Sequence, residues 1–281
     1  MNRKLYASTI AACVALTIAG CSKKTDEPTT STADGRTSTS PSGREAAKQK
    51  MALVRFVNAT PGQAMDLWFG DTKAFSDTAY KTVTPYRELP GERHDFQLRF
   101  AGRANTGDPN AKNSEGLTDG AHYTVVALLD NDGKPKLNVV NDSLSEPASG
   151  RAKVRVINAA RQEVDVFSPV TRKGDNQTAD RAANPARVGR NDRTAGEDKW
   201  FGGVNADHAT EYKDVDPVNS TLMVRPAASK DHGGPGVSVP VDFAAGKMYT
   251  LIVTGGDKGH ALDVVKVVDE LSGAATASAA R

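Results

Sequence analysis

The stretch Leu53-Val54-Arg55-Phe56-Val57-Asn58-Ala59 returns later in the chain as Lys153-Val154-Arg155-Val156-Ile157-Asn158-Ala159. Its surroundings return with it, in the same order. Met65-Asp66-Leu67 corresponds to Val164-Asp165-Val166, and Phe96-Gln97-Leu98-Arg99 to Leu222-Met223-Val224-Arg225. Gly120-Ala121-His122-Tyr123-Thr124-Val125-Val126 corresponds to Gly246-Lys247-Met248-Tyr249-Thr250-Leu251-Ile252. Each copy closes on Val139-Val140 or Val267-Val268 and an acidic, Leu-Ser ending. Self-similarity of this length, with order kept throughout, marks an internal repeat. The expectation is two homologous domains, residues 51–149 and 150–273.

Within each copy the segments read as strands. Val54 and Phe56 alternate with Leu53, Arg55 and Val57, the period-two pattern of a half-buried strand. Met65, Leu67 and Phe69 fall on one face, and Asp66 and Trp68 on the other. Turn residues separate the runs at Thr60-Pro61-Gly62, Leu89-Pro90-Gly91 and Asp130-Asn131-Asp132-Gly133. Short strands at this spacing, without an amphipathic helix, predict an all-β protein: two tandem antiparallel β-sandwiches of immunoglobulin- or transthyretin-like form. Tyr123 and Tyr249 follow a Gly turn at a strand start, the position of either a tyrosine corner or a plain strand tyrosine.

Composition sets the limits. Of 281 residues, 38% are hydrophobic and only 6% aromatic, so the cores must rest on Val, Leu, Ile and Ala. The 36 basic and 34 acidic residues leave a formal charge of +2, which Arg3 and Lys4 alone account for. A near-neutral chain has no global electrostatic reason to bind nucleic acid. The only cysteines are Cys13 and Cys21, so no disulfide can staple the repeats and no cysteine metal site can form in them.

The N-terminus reads as an address. Asn2-Arg3-Lys4 precede an apolar run, Leu5–Ala19, too short to be a comfortable membrane span. It ends in Leu16-Thr17-Ile18-Ala19-Gly20-Cys21, which resembles the lipobox of bacterial lipoproteins. The resemblance implies a signal peptide over 1–20, cleavage after Gly20, and acyl chains on Cys21 that hold the protein to a bilayer. Ser22 stands where an Asp would imply inner-membrane retention, so the expected location is the cell envelope, with the outer membrane favoured. Residues 21–50 are rich in Thr, Ser, Lys and Pro and lack apolar periodicity, which predicts a disordered tether. The tail 274–281 is expected to fray.

Val54-Arg55-Phe56-Val57-Asn58-Ala59-Thr60-Pro61-Gly62, with the later Gly-x-x-Tyr-Thr-Val-Val and Leu-Ser, resembles the bacterial family called domain of unknown function 4397. The resemblance spans nearly all of residues 51–273 and implies a β-sandwich, an envelope location and no established activity. The second copy departs from the pattern: Ala160-Arg161 replaces Thr-Pro, and a polar insertion runs from about residue 171 to 199. That insertion, and the polar stretch Gly102–Gly116 of the first copy, read as mobile surface loops or contact surfaces for an acidic partner.

Catalytic signatures do not emerge. Gly236-Val237-Ser238-Val239-Pro240 lacks the second glycine of a nucleophile elbow. His94, His122, His208, His232 and His260 are scattered and differ between copies, so they suggest no metal site. Asp130-Asn131-Asp132-Gly133 opens like a calcium loop but lacks its closing Glu, and a hairpin explains it. Gly255-Gly256-Asp257-Lys258-Gly259 leads into a strand and offers no helix N-terminus to a phosphate. No cofactor is implied. One polar pair recurs: Arg55 with Asp66, and Arg155 with Asp165. It reads either as a cross-strand ion pair or as a polar groove for a ligand such as a glycan. Trp68, on the Asp66 face, keeps the glycan reading open, because an exposed indole stacks on sugars. The expectation is therefore a non-enzymatic envelope lipoprotein with a binding or structural role, its partner an envelope protein or cell-wall glycan. Its rivals are a glycan-binding module and an envelope hydrolase with a site built from loops.

Overall fold

The computed structural model describes residues 50–169, 197–227, 236–256 and 259–271. The segments expected to form a lipobox, a tether and a frayed tail, and most of the polar insertion, lie outside them. Residues 48–281 group as one compact unit, and among the described residues there are strands and no helix.

The first repeat contributes nine strands: β1 (Met51–Asn58), β2 (Met65–Phe69), β3 (Thr72–Thr78), β4 (Thr82–Val83), β5 (Arg87–Pro90), β6 (Arg93–Phe100), β7 (Ala111–Gly116), β8 (His122–Leu129) and β9 (Pro135–Asn141). The second contributes eight: β10 (Ala152–Asn158), β11 (Val164–Pro169), β12 (Glu197–Val204), β13 (Lys213–Val215), β14 (Val218–Pro226), β15 (Val237–Phe243), β16 (Met248–Thr254) and β17 (Asp263–Asp269). They form four sheets. In the first repeat β4-β1-β8-β9, with β5 also on β1, faces β3-β2-β6-β7; in the second β13-β10-β16-β17 faces β12-β11-β14-β15. The architecture is all-β, a β-sandwich in each repeat. Pairing is antiparallel except for β1 with β8 and β10 with β16, which run parallel in matching register.

Each sandwich has its own apolar core. Val54, Phe56, Met65, Leu67, Phe96, Leu98 and Val125 fill the first; Val154, Val156, Val164, Val166, Leu222, Val224 and Leu251 fill the second. Val54 with Phe56, and Met65 with Leu67, are the sets that the alternation places on a common face. The expected polar face of β1, however, does not meet water: Arg55 and Val57 are as fully buried as Val54 and Phe56. The reason is a third core, in which Val57, Ala59, Val126 and Leu128 pack against Ile157, Ala159, Ile252 and Val267 of the other repeat. The β1–β8 sheet and the β10–β16 sheet are thus covered on both sides, and the body is four sheets deep.

Local chemistry explains the motif residues. Asn58 is fully buried; its Nδ2 donates to the carbonyls of Gln63 (3.2 Å) and Thr78 (2.8 Å), and its Oδ1 accepts from the Thr60 amide (2.9 Å). Asn158 repeats this with Gln162 and Val204 (2.8 Å each) and Ala160 (3.0 Å). One amide side chain therefore satisfies three backbone groups where the chain leaves the first strand of each copy. Both tyrosines prove to be corners. The Tyr123 oxygen accepts from the Thr118 amide at 3.1 Å, and Tyr249 from Ala244 at 3.0 Å, at the crossover from one sheet to the other.

Two boundaries change. Of the polar stretch Gly102–Gly116, Ala111–Gly116 is β7, paired with β6. It escapes notice in the sequence because an edge strand exposes one face and has only Ala111 and its neighbour Leu117 to bury. Likewise Glu197, Asp198 and Lys199, placed in the insertion, begin β12. The Asp130 turn is a hairpin: Asp130 Oδ1 accepts from the amides of Asp132 (2.9 Å) and Lys134 (2.8 Å) between β8 and β9.

Candidate functional site

Among the described residues, the largest collection of chemistry-bearing side chains lies between the two sandwiches. Arg55 leaves β1 and Arg155 leaves β10 toward one another's repeat, each beside a threonine on the adjacent parallel strand. Arg55 Nε donates to Thr124 Oγ1 (2.8 Å) and Arg155 Nε to Thr250 Oγ1 (2.9 Å). Asp142, just past β9, accepts from Thr124 (2.7 Å) and Tyr86 (2.5 Å). Asp269, ending β17, accepts from Thr250 (2.6 Å) and Tyr212 (2.8 Å). The ion pairs then cross over. Arg55 of the first repeat meets Asp269 of the second at 2.7 Å, and Arg155 of the second meets Asp142 of the first. Each guanidinium also lies over the tyrosine of its own repeat, Arg55 4.9 Å from the Tyr86 centroid and Arg155 4.7 Å from Tyr212.

The cluster is buried and electrically balanced. Arg55, Asp142, Arg155 and Asp269 are all 3% exposed or less. The two pairs are not equal, since Arg155 Nη2 donates to Asp142, whereas Arg55 Nη1 approaches Asp269 by charge without an aligned hydrogen bond. Burial alone would raise the Asp142 carboxyl, but the charges of Arg155 and Arg55, with the Tyr86 hydrogen bond, hold it below its ordinary value. For Arg55, burial pulls the pKa down, and the charges of Asp269, Tyr86, Asp142 and Tyr212 together more than offset it, so the guanidinium stays charged. Burial drives both tyrosine hydroxyls upward, against the nearby arginine and with the nearby carboxylates, so both stay protonated through alkaline pH.

The predicted pairing of Arg55 with Asp66 and Arg155 with Asp165 is therefore not what the structure contains. Each pair points to opposite sides of a sandwich. Asp66 takes Lys73 at 2.7 Å and Asp165 takes Lys199 at 2.8 Å. The carboxylates also cap a bulge in the neighbouring strand: Asp66 accepts from the amide of Asp77 (2.8 Å), and Asp165 from that of Gly203 (2.7 Å), both at positive φ. Arg99, opposite Asp66 in register, turns instead to the carbonyls of Thr106 (3.2 Å) and Gly107 (2.9 Å) and organises that loop. Trp68 does face outward, half-buried, with Lys73 5.2 Å from its ring centroid; Gln97 and then Lys112 continue the row across the sheet.

Sequence reasoning missed Asp142, Asp269, Tyr86 and Tyr212. The two aspartates fall within the acidic endings of the repeat, and register makes them equivalent: Tyr123 pairs with Asn141 and Tyr249 with Val268, one residue before each. An Arg, a Thr and an Asp, each repeated, was the available signal.

Each sandwich has a groove along the open edge between its sheets, one beside Lys73–Ser76 and Thr84–Arg87, the other beside Glu197, Trp200 and Lys213–Asn219. A long cation spans each groove to a backbone carbonyl: Arg87 to Ala74, and Lys213 to Trp200 at 3.3 Å. His94 packs on Phe69 at a tilt and His122 meets Tyr86 edge-on, while His208 bonds its own loop; His232 lies outside the described residues. Among the described residues, no three His, Cys, Asp or Glu side chains are placed to share a metal ion.

The stretch of sequence that carries Arg55 is what the comparison with known families matches. Residues 52–167 fit the domain of unknown function DUF4397. The matched stretch runs through the first sandwich and into β10 and β11, so it includes Arg55, Asp142 and Arg155 but not Asp269. No curated protein matches the chain in sequence. Among solved structures, one similar chain is CBMbc (family CBM26) from Eubacterium rectale Amy13K, in complex with maltoheptaose. It is 15% identical over 76% of this chain and 95% of that one, with a TM-score of 0.21. A superposition that loose carries no argument about the site.

Proposed function

We propose that this protein is a lipid-anchored envelope protein with a non-catalytic, binding or structural role, its two repeats working as one rigid body held to a bilayer through Cys21. The observation that carries the reading is the use made of the buried charges. Arg55, Arg155, Asp142 and Asp269 neutralise one another inside the body, which leaves none of them free to polarise a substrate. Buried ion pairs that neutralise one another can serve to hold a defined geometry rather than to add net stability. A rigid, tethered body suits a spacer or a docking surface. The lipobox supports the anchor, and Ser22 favours the outer membrane. The test is metabolic labelling with palmitate, which should enter the wild-type protein and vanish in Cys21→Ala; label persisting in the variant would refute the anchor.

A second reading has one observation in its favour. Trp68 and Gln97 sit side by side on the outward face of the β3-β2-β6-β7 sheet with Lys73 and Lys112 flanking them. A half-exposed indole among polar side chains is a platform on which a sugar ring can stack, and cell-wall glycan is the partner class it suits. Peptidoglycan pull-down should retain the wild type and lose Trp68→Ala; equal retention would remove this reading while leaving the anchor untouched.

A further inference from the structure

The two halves of the inter-sandwich contact are copies of one another at its centre and opposites at its rim. At the centre, Arg55, Thr124 and Asp142 match Arg155, Thr250 and Asp269, and Val57 and Val126 match Ile157 and Ile252. At the rim, Lys81 and Asp207 are equivalent. Lys81 donates its amide to the Asn58 carbonyl (2.7 Å) with φ 65°, and Asp207 donates to the Asn158 carbonyl (2.9 Å) with φ 66°. Lys136 and Asp263 are equivalent as well: Leu128 pairs with Lys136, and its counterpart Thr254 pairs with Asp263. The first repeat thus places lysine at both positions, and the second places aspartate at both. The contacts follow from this, since Lys81 pairs with Asp263, and Lys136 with Asp207.

We propose that these four residues make the contact heterotypic: the face of a first sandwich accepts a second sandwich and rejects another first, and in trans the partner it fits is the second sandwich of another copy of this chain. The centre alone could not choose. An Arg55–Asp142 pairing between two first sandwiches would satisfy the same chemistry as Arg55–Asp269. The rim decides, because two first sandwiches would oppose Lys81 with Lys136 twice, and two second sandwiches would oppose Asp207 with Asp263 twice. Like charges set against each other across a contact suppress the wrong partner. Ser143–Gly150 is the covalent link between the halves. Chains that open there therefore re-close either on themselves or reciprocally with a second chain, first to second in both places.

The test uses the full chain carrying Cys21→Ala. One variant combines Lys81→Asp with Lys136→Asp, and another combines Asp207→Lys with Asp263→Lys. Each alone sets like charges at both rim contacts, and its melting temperature should fall by about 4 °C. All four changes together restore opposite charges and should recover most of that loss. Equal melting temperatures for the two double variants and the wild type, or a quadruple variant no better than either double, would overturn the proposal. The two double variants are then unfolded together and refolded as an equimolar mixture. Native mass spectrometry should find a dimer with one copy of each, because in this mixture opposite rim charges arise only between unlike chains. Dimers of either variant with itself, or a mixture of monomers alone, would also overturn it.

Discussion

Replacing Asp142 by Asn tests the buried cluster most sharply, because the shape hardly changes while one of four charges is lost. The Asn side chain can still accept from Thr124 and Tyr86. Arg155 would then keep its full charge in a site 2% exposed, with its ion-pair partner gone and Arg55 nearby. Removing one member of a buried pair costs about 3–5 kcal/mol, a large share of the roughly 5–15 kcal/mol by which a domain is stable. With a urea dependence of about 2–3 kcal/mol per molar, the denaturation midpoint should fall by roughly 1–2 M. Asp269→Asn should behave alike, although less strongly, because the Arg55–Asp269 contact is the less well aligned of the two. Changing both members of a pair, as in Asp142→Leu with Arg155→Met, should recover much of the loss, since an apolar replacement leaves no stranded charge. A shift of less than 0.5 M (about 1 kcal/mol) for Asp142→Asn would refute the reasoning, because that is the size of an exposed pair. The same group sets an acid limit. Its pKa is lower folded than unfolded, so its contribution is complete above the unfolded value and disappears as pH falls through the folded one.

Alkaline stability should report the two buried tyrosines. Their folded pKa values are raised, so above about pH 10 the unfolded chain gives up protons that the folded chain keeps, and stability should fall by about 1.4 kcal/mol per pH unit for each. Denaturation midpoints measured from pH 9 to 11 should show that slope halved in Tyr86→Phe. Asn58→Ala would strand the Thr60 amide and the Thr78 carbonyl, for about 2–4 kcal/mol. The measured loss should exceed that of Asn113→Ala, whose Nδ2 makes one bond, to Leu137. Tyr123→Phe removes a single hydrogen bond at the crossover and should cost about 1 kcal/mol by the same assay.

Much of this architecture was legible in the amino-acid sequence, and the reasons are local. Strand parity follows from side-chain alternation, so Val54, Phe56, Met65 and Leu67 were placed correctly toward a core. Turn chemistry marked the Asp130 hairpin, and a Gly before Tyr123 and Tyr249 marked strand starts that suit either a corner or a plain strand tyrosine, the backbone bond deciding for the corner. What was not legible depends on how one repeat meets the other. Arg55 looked like a residue of a solvent-facing strand because nothing local announces a second sandwich over it. Its partner was sought on the nearest strand, at Asp66, whereas the true partner, Asp269, is separated from it by nearly the whole folded chain. β7 was passed over for a different reason, since an edge strand of Lys, Asn, Ser and Glu carries almost no apolar signal.

Native-state hydrogen exchange, followed against urea, bears most directly on whether the two repeats are one body. If the crossed ion pairs join them, the slowest amides of β1 and β8 and those of β10 and β16 should open with the same free energy and the same urea dependence, as one unit. Two sets of amides, each with its own free energy and about half that urea dependence, would mean that the sandwiches unfold separately and that the buried charges do not couple them.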